Sequence, residues 1–235
     1  KKINILFDVM GFTNPNRLEI FNSRVAPIQV SWLAYCNTIG FETIDYIMID
    51  KNLVIKDEEK FYLEKVIRLP KVWNSHAGFN LKRKYNKLPC EKDEIFTLGS
   101  FNNFRKISVE TVDTWSSILQ SVSNSRLILK SSTFCDTNSL LNKFKKYGIE
   151  NKVTILDKVN FHKKKDHLEL YNKVDLALDT FPYNGVTTTF EALWMNVPVM
   201  VLKGYNFNSR CGESIIKNTK IDYLIASNTK EYIQK

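Results

Sequence analysis

The stretch from Asp175 to Trp194 holds the residues best suited to chemistry. A short apolar run ends at Asp179, a turn with Pro182 and Gly185 follows, and Thr187, Thr188 and Thr189 then open an amphipathic segment. A helix start presents unpaired N–H groups and a partial positive charge, so a hydroxyl-lined start just after a glycine can cradle phosphate oxygens. The same residues also suit simple capping, with Thr187 or Thr188 as the N-cap and Glu191 completing a capping-box-like pair. Residue types alone leave these two readings level. The cysteines at 36, 90, 135 and 211 form no C-x-x-C pair, no histidines cluster near them, and there is no Asp-x-Asp pair, so no metal site is expected. Cys36 has no His or Asp pattern that would make it a nucleophile, and reads as a packed thiol of a cytoplasmic protein.

The elements that must position this turn follow a βαβ rhythm. Apolar runs at 95–99, 126–130, 153–156, 176–178 and 197–202 predict strands, and the amphipathic segments 109–122, 137–147, 164–173, 187–195 and 209–218 predict helices. That pattern gives a Rossmann-like domain over 92–235. The first part, 1–91, predicts strands at 3–9, 28–33 and 46–49 and a helical turn at 17–23, a shorter α/β unit. Residues 70–93, with Pro70, Gly78 and Pro89, have the composition of a crossing segment. Open α/β sheets bind ligands beyond the carboxyl ends of their strands, so the loops after Leu98, Leu156 and Leu178 should carry the site.

With 235 residues and 43% hydrophobic content, the chain can build a real core. No apolar run approaches the roughly 18 residues of a membrane span. It opens Lys1-Lys2-Ile3, and the apolar run that follows contains Asp8, which does not suit a signal segment and suggests a piece of a longer protein. The net charge of +9 is mostly lysine spread along the chain. Its one dense run, Lys163 to Lys165, is interrupted at once by Asp166 and Glu169, as on a solvated helix start, so no nucleic-acid partner is expected.

The run Asp179-Thr-Phe-Pro-Tyr-Asn-Gly185-Val-Thr-Thr, followed by Glu191-Ala-Leu-Trp and Pro198-Val, resembles the signature of the O-GlcNAc transferases and the Spindly-like proteins grouped with them. The similarity continues through Gly204 to Arg210, and recurs in Gly11-Phe-Thr, Arg17, Ala26 to Tyr35 and Asp45 to Asp50. The resemblance implies a GT-B fold of two Rossmann-like units, here with the N-terminal one incomplete. It also implies transfer of N-acetylglucosamine from UDP-GlcNAc to protein Ser/Thr hydroxyls, inverting and without a metal or other cofactor. GDP-fucose as donor, or nucleotide-sugar binding without catalysis, stand as alternatives. In the family's pattern Lys106 falls on the donor diphosphate, Asn103 on a neighbouring contact where animal enzymes have glutamine, and Thr187 and Thr188 on the diphosphate. His167 falls beside the nucleotide, Lys164 near base or ribose, and Glu191 on the ribose hydroxyls. Leu33, Ala34, Tyr183 and Val186 fall beside the donor sugar, with Val186 replacing the histidine of the animal pattern and Cys36 a usual proline. By residue type alone Lys106 reads as an exposed lysine between strand and helix, and His167 as a residue of a surface helix. The family's proposed catalytic histidines and acceptor-guiding helical repeats lie upstream of this segment, so the general base is unassigned.

Overall fold

The computed structural model describes residues 2–79, 87–130, 136–156 and 164–235, with the backbone alone for Lys164. Two parallel sheets organise them. The first has the order β1 (Ile5–Asp8), β2 (Ile28–Ser31), β3 (Tyr46–Asp50), β4 (Lys65–Leu69), with α1 (Leu18–Asn22) crossing between β1 and β2. The chain steps across this sheet in one direction, pairing Ile5 with Ile28 and Tyr46 with Lys65. Strand β4 was not expected from the sequence. Its Lys-Val-Ile-Arg-Leu run is mostly exposed at the sheet edge, so its pairing rests on backbone hydrogen bonds that leave little hydrophobic pattern.

After the short helix α2 (Cys90–Asp93), the second sheet is built from β5 (Phe96–Ser100), β6 (Ser125–Lys130), β7 (Val153–Leu156), β8 (Leu176–Leu178), β9 (Val199–Leu202) and β10 (Ile225–Ala226). Its spatial order is β10-β9-β8-β5-β6-β7, all parallel. The chain runs outward from β5 to β7, returns to lie beside β5 as β8, then runs outward on the other side. This is the doubly wound Rossmann order, with its switch point between β5 and β8. Helices α3 (Val109–Ser121), α4 (Thr137–Lys145) and α8 (Thr229–Gln234) cover one face, where Trp115, Leu119, Leu127, Leu129 and Phe144 are fully buried. Helices α5 (Lys164–Glu169), α6 (Thr187–Trp194) and α7 (Cys211–Ile216) cover the other, over Leu168, Tyr171, Val199, Val201 and Ile216. The predicted helix over 164–173 turns into a 3-10 segment at Leu170–Lys173, and the one over 209–218 is split by Arg210 between Phe207–Ser209 and α7.

The two sheets share a core. Cys36, Ile47, Ile49, Leu53, Val54 and Trp73 of the first unit pack with Phe207, Cys211 and Ile215 of the second. Each such side chain removed from water stabilises the junction by roughly 1.5–3 kcal/mol. Polar contacts fix its register. Arg210 donates both guanidinium arms to Glu58 at 2.6 and 2.8 Å and a third bond to the Leu53 carbonyl at 3.2 Å, and the buried Ser214 hydroxyl donates to Asp50. Past Trp73 the chain crosses onto α6, and Gly78, at φ +92°, lies so close to Trp194 that a Cβ would come within 2.6 Å of the indole.

Candidate functional site at the switch point of the second sheet

Strands β5 and β8 end side by side, and the residues that follow them meet. Asp179, fully buried after β8, takes the Thr180 and Gly185 N–H groups on Oδ1 at 2.9 and 2.7 Å, with the Asn102 amide at 3.4 Å. These bonds fold the Thr180–Gly185 turn back on the strand end. The turn is held from the other side by the Ser108 and Thr111 hydroxyls at the start of α3, which donate to the Phe181 carbonyl at 2.8 and 2.7 Å. Burial pushes the Asp179 carboxyl up to about 7, opposed by the Gly185 N–H, the Lys106 charge, the Thr180 N–H and the Asn102 amide. Oδ2 takes no hydrogen bond among the described residues and faces Gly212, where a Cβ would stand 2.5 Å away.

Lys106 lies in this turn rather than on the surface. Its ammonium donates to the Asn184 carbonyl at 2.8 Å and sits 4.2 Å from the centre of the Tyr183 ring. Burial lowers its pKa, with the Asp179 carboxylate opposing. Asn184 is itself fixed, donating to the Thr180 carbonyl at 2.9 Å and accepting from the Gly212 N–H at 3.1 Å. A cation held over a ring and one carbonyl keeps hydrogens available for an anion in the crevice.

The α6 start separates the two readings of its threonines. Its N-cap is Val186 and no side chain caps it, so neither Thr187 nor Thr188 is the N-cap and no capping box with Glu191 forms. Thr188 donates to Asn102 Oδ1 at 2.7 Å, Thr189 to the Gly185 carbonyl at 3.2 Å, Thr187 is exposed, and Glu191 turns instead to His167. The N–H groups of 187–189 therefore have no partner inside the helix and open beside the turn. Gly185 is required here, since a Cβ would lie 2.3 Å from Thr188 Oγ1 and 2.6 Å from Asn102 Oδ1.

On the far side of α6, His167 Nε2 lies 2.9 Å from Glu191 Oε2 and His167 Nδ1 lies 2.7 Å from Lys130 Nζ. Phe101 and Tyr171 pack around the imidazole. Asn103 caps the 3-10 turn Phe104–Lys106, its side-chain oxygen accepting the Arg105 N–H at 3.0 Å. The Lys164 side chain lies outside the described residues, as does the loop after Leu156.

The first unit reaches the same place through the loop after β2. Leu33 adopts φ +96°, a conformation rare for leucine, and Ala34 is exposed. Cys36 is buried where its thiol meets the Cys211 thiol, a contact that lowers its pKa, helped by the nearby Lys106 charge, while burial raises that of Cys211. The same two thiols lie near Tyr183, whose hydroxyl is pushed up to about 12, chiefly by burial. Val186 packs into the core shared by the two units. Sequence reasoning singled out neither Asn102, Asn184 and Lys130 nor the anchoring role of Asp179. Lys130 carried a usable signal, since a lysine closing an apolar strand sits at the carboxyl edge where Rossmann sheets bind ligands.

A doubly wound parallel sheet sharing a core with a second parallel unit, with a helix start at its switch point, defines a GT-B glycosyltransferase fold. More narrowly, the chain belongs to glycosyl transferase family 41, whose family model matches residues 1–81 and 81–235. It is 35% identical over 238 residues to the probable UDP-N-acetylglucosamine–peptide N-acetylglucosaminyltransferase SPINDLY of Arabidopsis thaliana, covering 99% of this chain and 26% of that protein. To the probable enzyme of the same activity SEC, also from Arabidopsis thaliana, it is 31% identical over 250 residues, covering 100% and 25%. The solved structure of a Thermobaculum terrenum O-GlcNAc transferase mutant superposes with a TM-score of 0.88 at 31% identity, over 99% of this chain and 44% of the other. The chain thus spans about a quarter of the length of these curated relatives. No helix among the described residues is long and apolar enough to cross a membrane.

Proposed function

We propose that this chain binds the donor in a transferase that moves N-acetylglucosamine from UDP-GlcNAc to Ser/Thr hydroxyls of a protein acceptor. One observation carries the reading: the switch point sets the Lys106 ammonium and the open N–H groups of the α6 start beside one turn, with Glu191, paired to His167, further along the same helix. In such a transfer the acceptor hydroxyl gives its proton to a base or to solvent, and its oxygen bonds to the anomeric carbon as the bond from that carbon to the diphosphate breaks. Negative charge then develops on the leaving oxygen. Lys106, with the N–H groups of Thr187 and Thr188, would stabilise that charge as preorganised donors. Glu191, its Oε2 turned to His167, would keep Oε1 for the ribose hydroxyls. Leu33, Ala34 and Tyr183 would border the sugar from the two units. Support for the donor comes from relatives whose names state UDP-N-acetylglucosamine.

The chain would act within a longer protein. Its relatives are about four times as long, and the first unit exposes a row of apolar side chains, Ile3, Ile5, Phe7 and Val9, at every second position through β1.

Calorimetry with UDP, UMP and GDP, together with transfer of labelled GlcNAc from UDP-GlcNAc to a Ser/Thr peptide by the longer protein, tests the reading. Expected are UDP tighter than UMP, UDP tighter than GDP, and label in the peptide. Tighter GDP would reassign the donor, and UDP binding without transfer in the longer protein would leave a nucleotide-binding module.

A further inference from the structure

Lys130 closes β6 at the carboxyl edge of the second sheet and is 4% exposed. A lysine is seldom buried without a partner that repays its desolvation. Here the ammonium is aimed at one ring nitrogen of His167, 2.7 Å from Nδ1, while the other ring nitrogen lies 2.9 Å from the Glu191 carboxylate, itself 6% exposed. Three elements, β6, α5 and α6, thus contribute one side chain each to a line of hydrogen bonds ending on α6 at Glu191.

The donor rules decide where the protons are. An ammonium has hydrogens and no lone pair, so Nδ1 must accept from Lys130. The imidazole proton is then on Nε2, from which it is donated to Glu191 Oε2. We infer that Lys130 is a positioning residue of the nucleotide site, which locks His167 in its Nε2–H tautomer so that Glu191 is held as a carboxylate with one oxygen committed to His167 and the other presented to ligand. The chain of charges is balanced, plus one at Lys130 and minus one at Glu191, which is what allows both to be buried. Without Lys130 the imidazole can place its proton on Nδ1. Nε2 then becomes an acceptor facing the Glu191 oxygen, and the carboxylate must rotate away or take up a proton. Phe101 and Tyr171 restrict the ring itself, so the error falls on Glu191.

The inference rests on the reading of Glu191 as the acceptor of ribose hydroxyls, and the test separates the two. The chain has three histidines, so the His167 ring nitrogens can be assigned in a long-range proton–nitrogen spectrum by comparison with His76→Gln and His162→Gln. The unaltered protein should show Nε2 protonated and Nδ1 bare. A proton on Nδ1, or on both nitrogens, overturns the proposal, and this measurement requires no change at Lys130, His167 or Glu191. Affinities for UDP and GDP and for their 2′-deoxy counterparts then give the ribose preference. Lys130→Met should lose the pure Nε2–H tautomer and reduce that preference about tenfold, the effect of one charge-assisted hydrogen bond lost. Lys130→Arg should restore both. A Lys130→Met protein that keeps tautomer and preference overturns the positioning role. An unaltered protein with the expected tautomer but no ribose preference overturns the ribose reading of Glu191, and the positioning role with it.

Discussion

Replacing Lys106 with methionine keeps the length and apolar stem of the side chain while deleting the ammonium, and the structure says what should follow. The ammonium has two tasks, one toward ligand and one toward the fold. On the proposed function it is a charge-assisted donor to the diphosphate, so UDP affinity should fall by about 1.5–3 kcal/mol, roughly ten- to a hundredfold. UMP, lacking the second phosphate, should lose less. Toward the fold, the Asn184 carbonyl loses a donor at 2.8 Å and the buried Asp179 carboxyl loses its counter-charge. That carboxyl already stands at about 7 against an ordinary 3.8, so its charged form costs roughly 4 kcal/mol more in the folded than in the unfolded chain.

The sign of the pH effect follows. A folded-state pKa raised above the unfolded value gives a contribution that is full below the unfolded pKa, near 4, and is lost as pH rises through the folded value. In the unaltered protein this decline should end near pH 7. In Lys106→Met the carboxyl is pushed higher still, so stability should go on falling as pH rises above ~7. Urea denaturation across that range, with calorimetry for UDP and UMP at fixed pH, reads both effects. Equal losses for UDP and UMP would refute the placement of Lys106 at the diphosphate, and parallel pH profiles would refute its pairing with Asp179.

Arg210→Met should cost about 2–4 kcal/mol in urea denaturation, because it strands Glu58 between the units, while UDP affinity changes little since the switch-point residues lie elsewhere in the second unit. Arg210 holds the Glu58 carboxyl below its ordinary 4.5, so the pair's stabilisation should be present above pH ~4.5 and fade as pH falls through the lower folded value; a Glu58→Gln cycle with no coupling to Arg210 would disprove it. Gly185→Ala should abolish UDP binding with a smaller loss of stability, since the added Cβ would displace Thr188 and Asn102, and unchanged UDP affinity would contradict the crevice. Glu191→Ala should reduce the preference for UDP over 2′-deoxy-UDP about tenfold; a fall in melting temperature with the preference intact would assign Glu191 a purely structural part.

The parts of the fold legible in the sequence are those whose neighbours are close along the chain. The second sheet's buried strands and its long amphipathic helix α3 declared themselves by period, because strands covered on both faces are continuously apolar and a one-sided helix alternates at 3.6 residues. Strand β4 and the C-terminal pair β10 and α8 did not, being short and partly exposed, so their existence depends on partners distant in sequence. Among the site residues, the turn from Asp179 to Thr189 was visible as a motif, yet its most natural local reading, a threonine cap with Glu191 closing a box, is not what forms. Glu191 prefers His167, and Thr188 prefers Asn102, 86 residues away in sequence.

The sequence by itself thus determined the class of fold, the alternation of strands and helices from β5 to β9 and the turn that makes the candidate site, because strand period, helix period and a glycine before threonines are local properties. Only the tertiary structure decided that Lys106 is half-buried and held by Asn184 and Tyr183, that Asp179 is a buried anchor raised to about 7, and that Lys130 points at His167. It also decided that Cys36 meets Cys211 and Glu58 meets Arg210, joining loops from two sheets. The physical reason is the topology: β5 and β8 are separated by two βαβ excursions yet lie side by side, so the groups at their ends meet only once the sheet has wound back on itself.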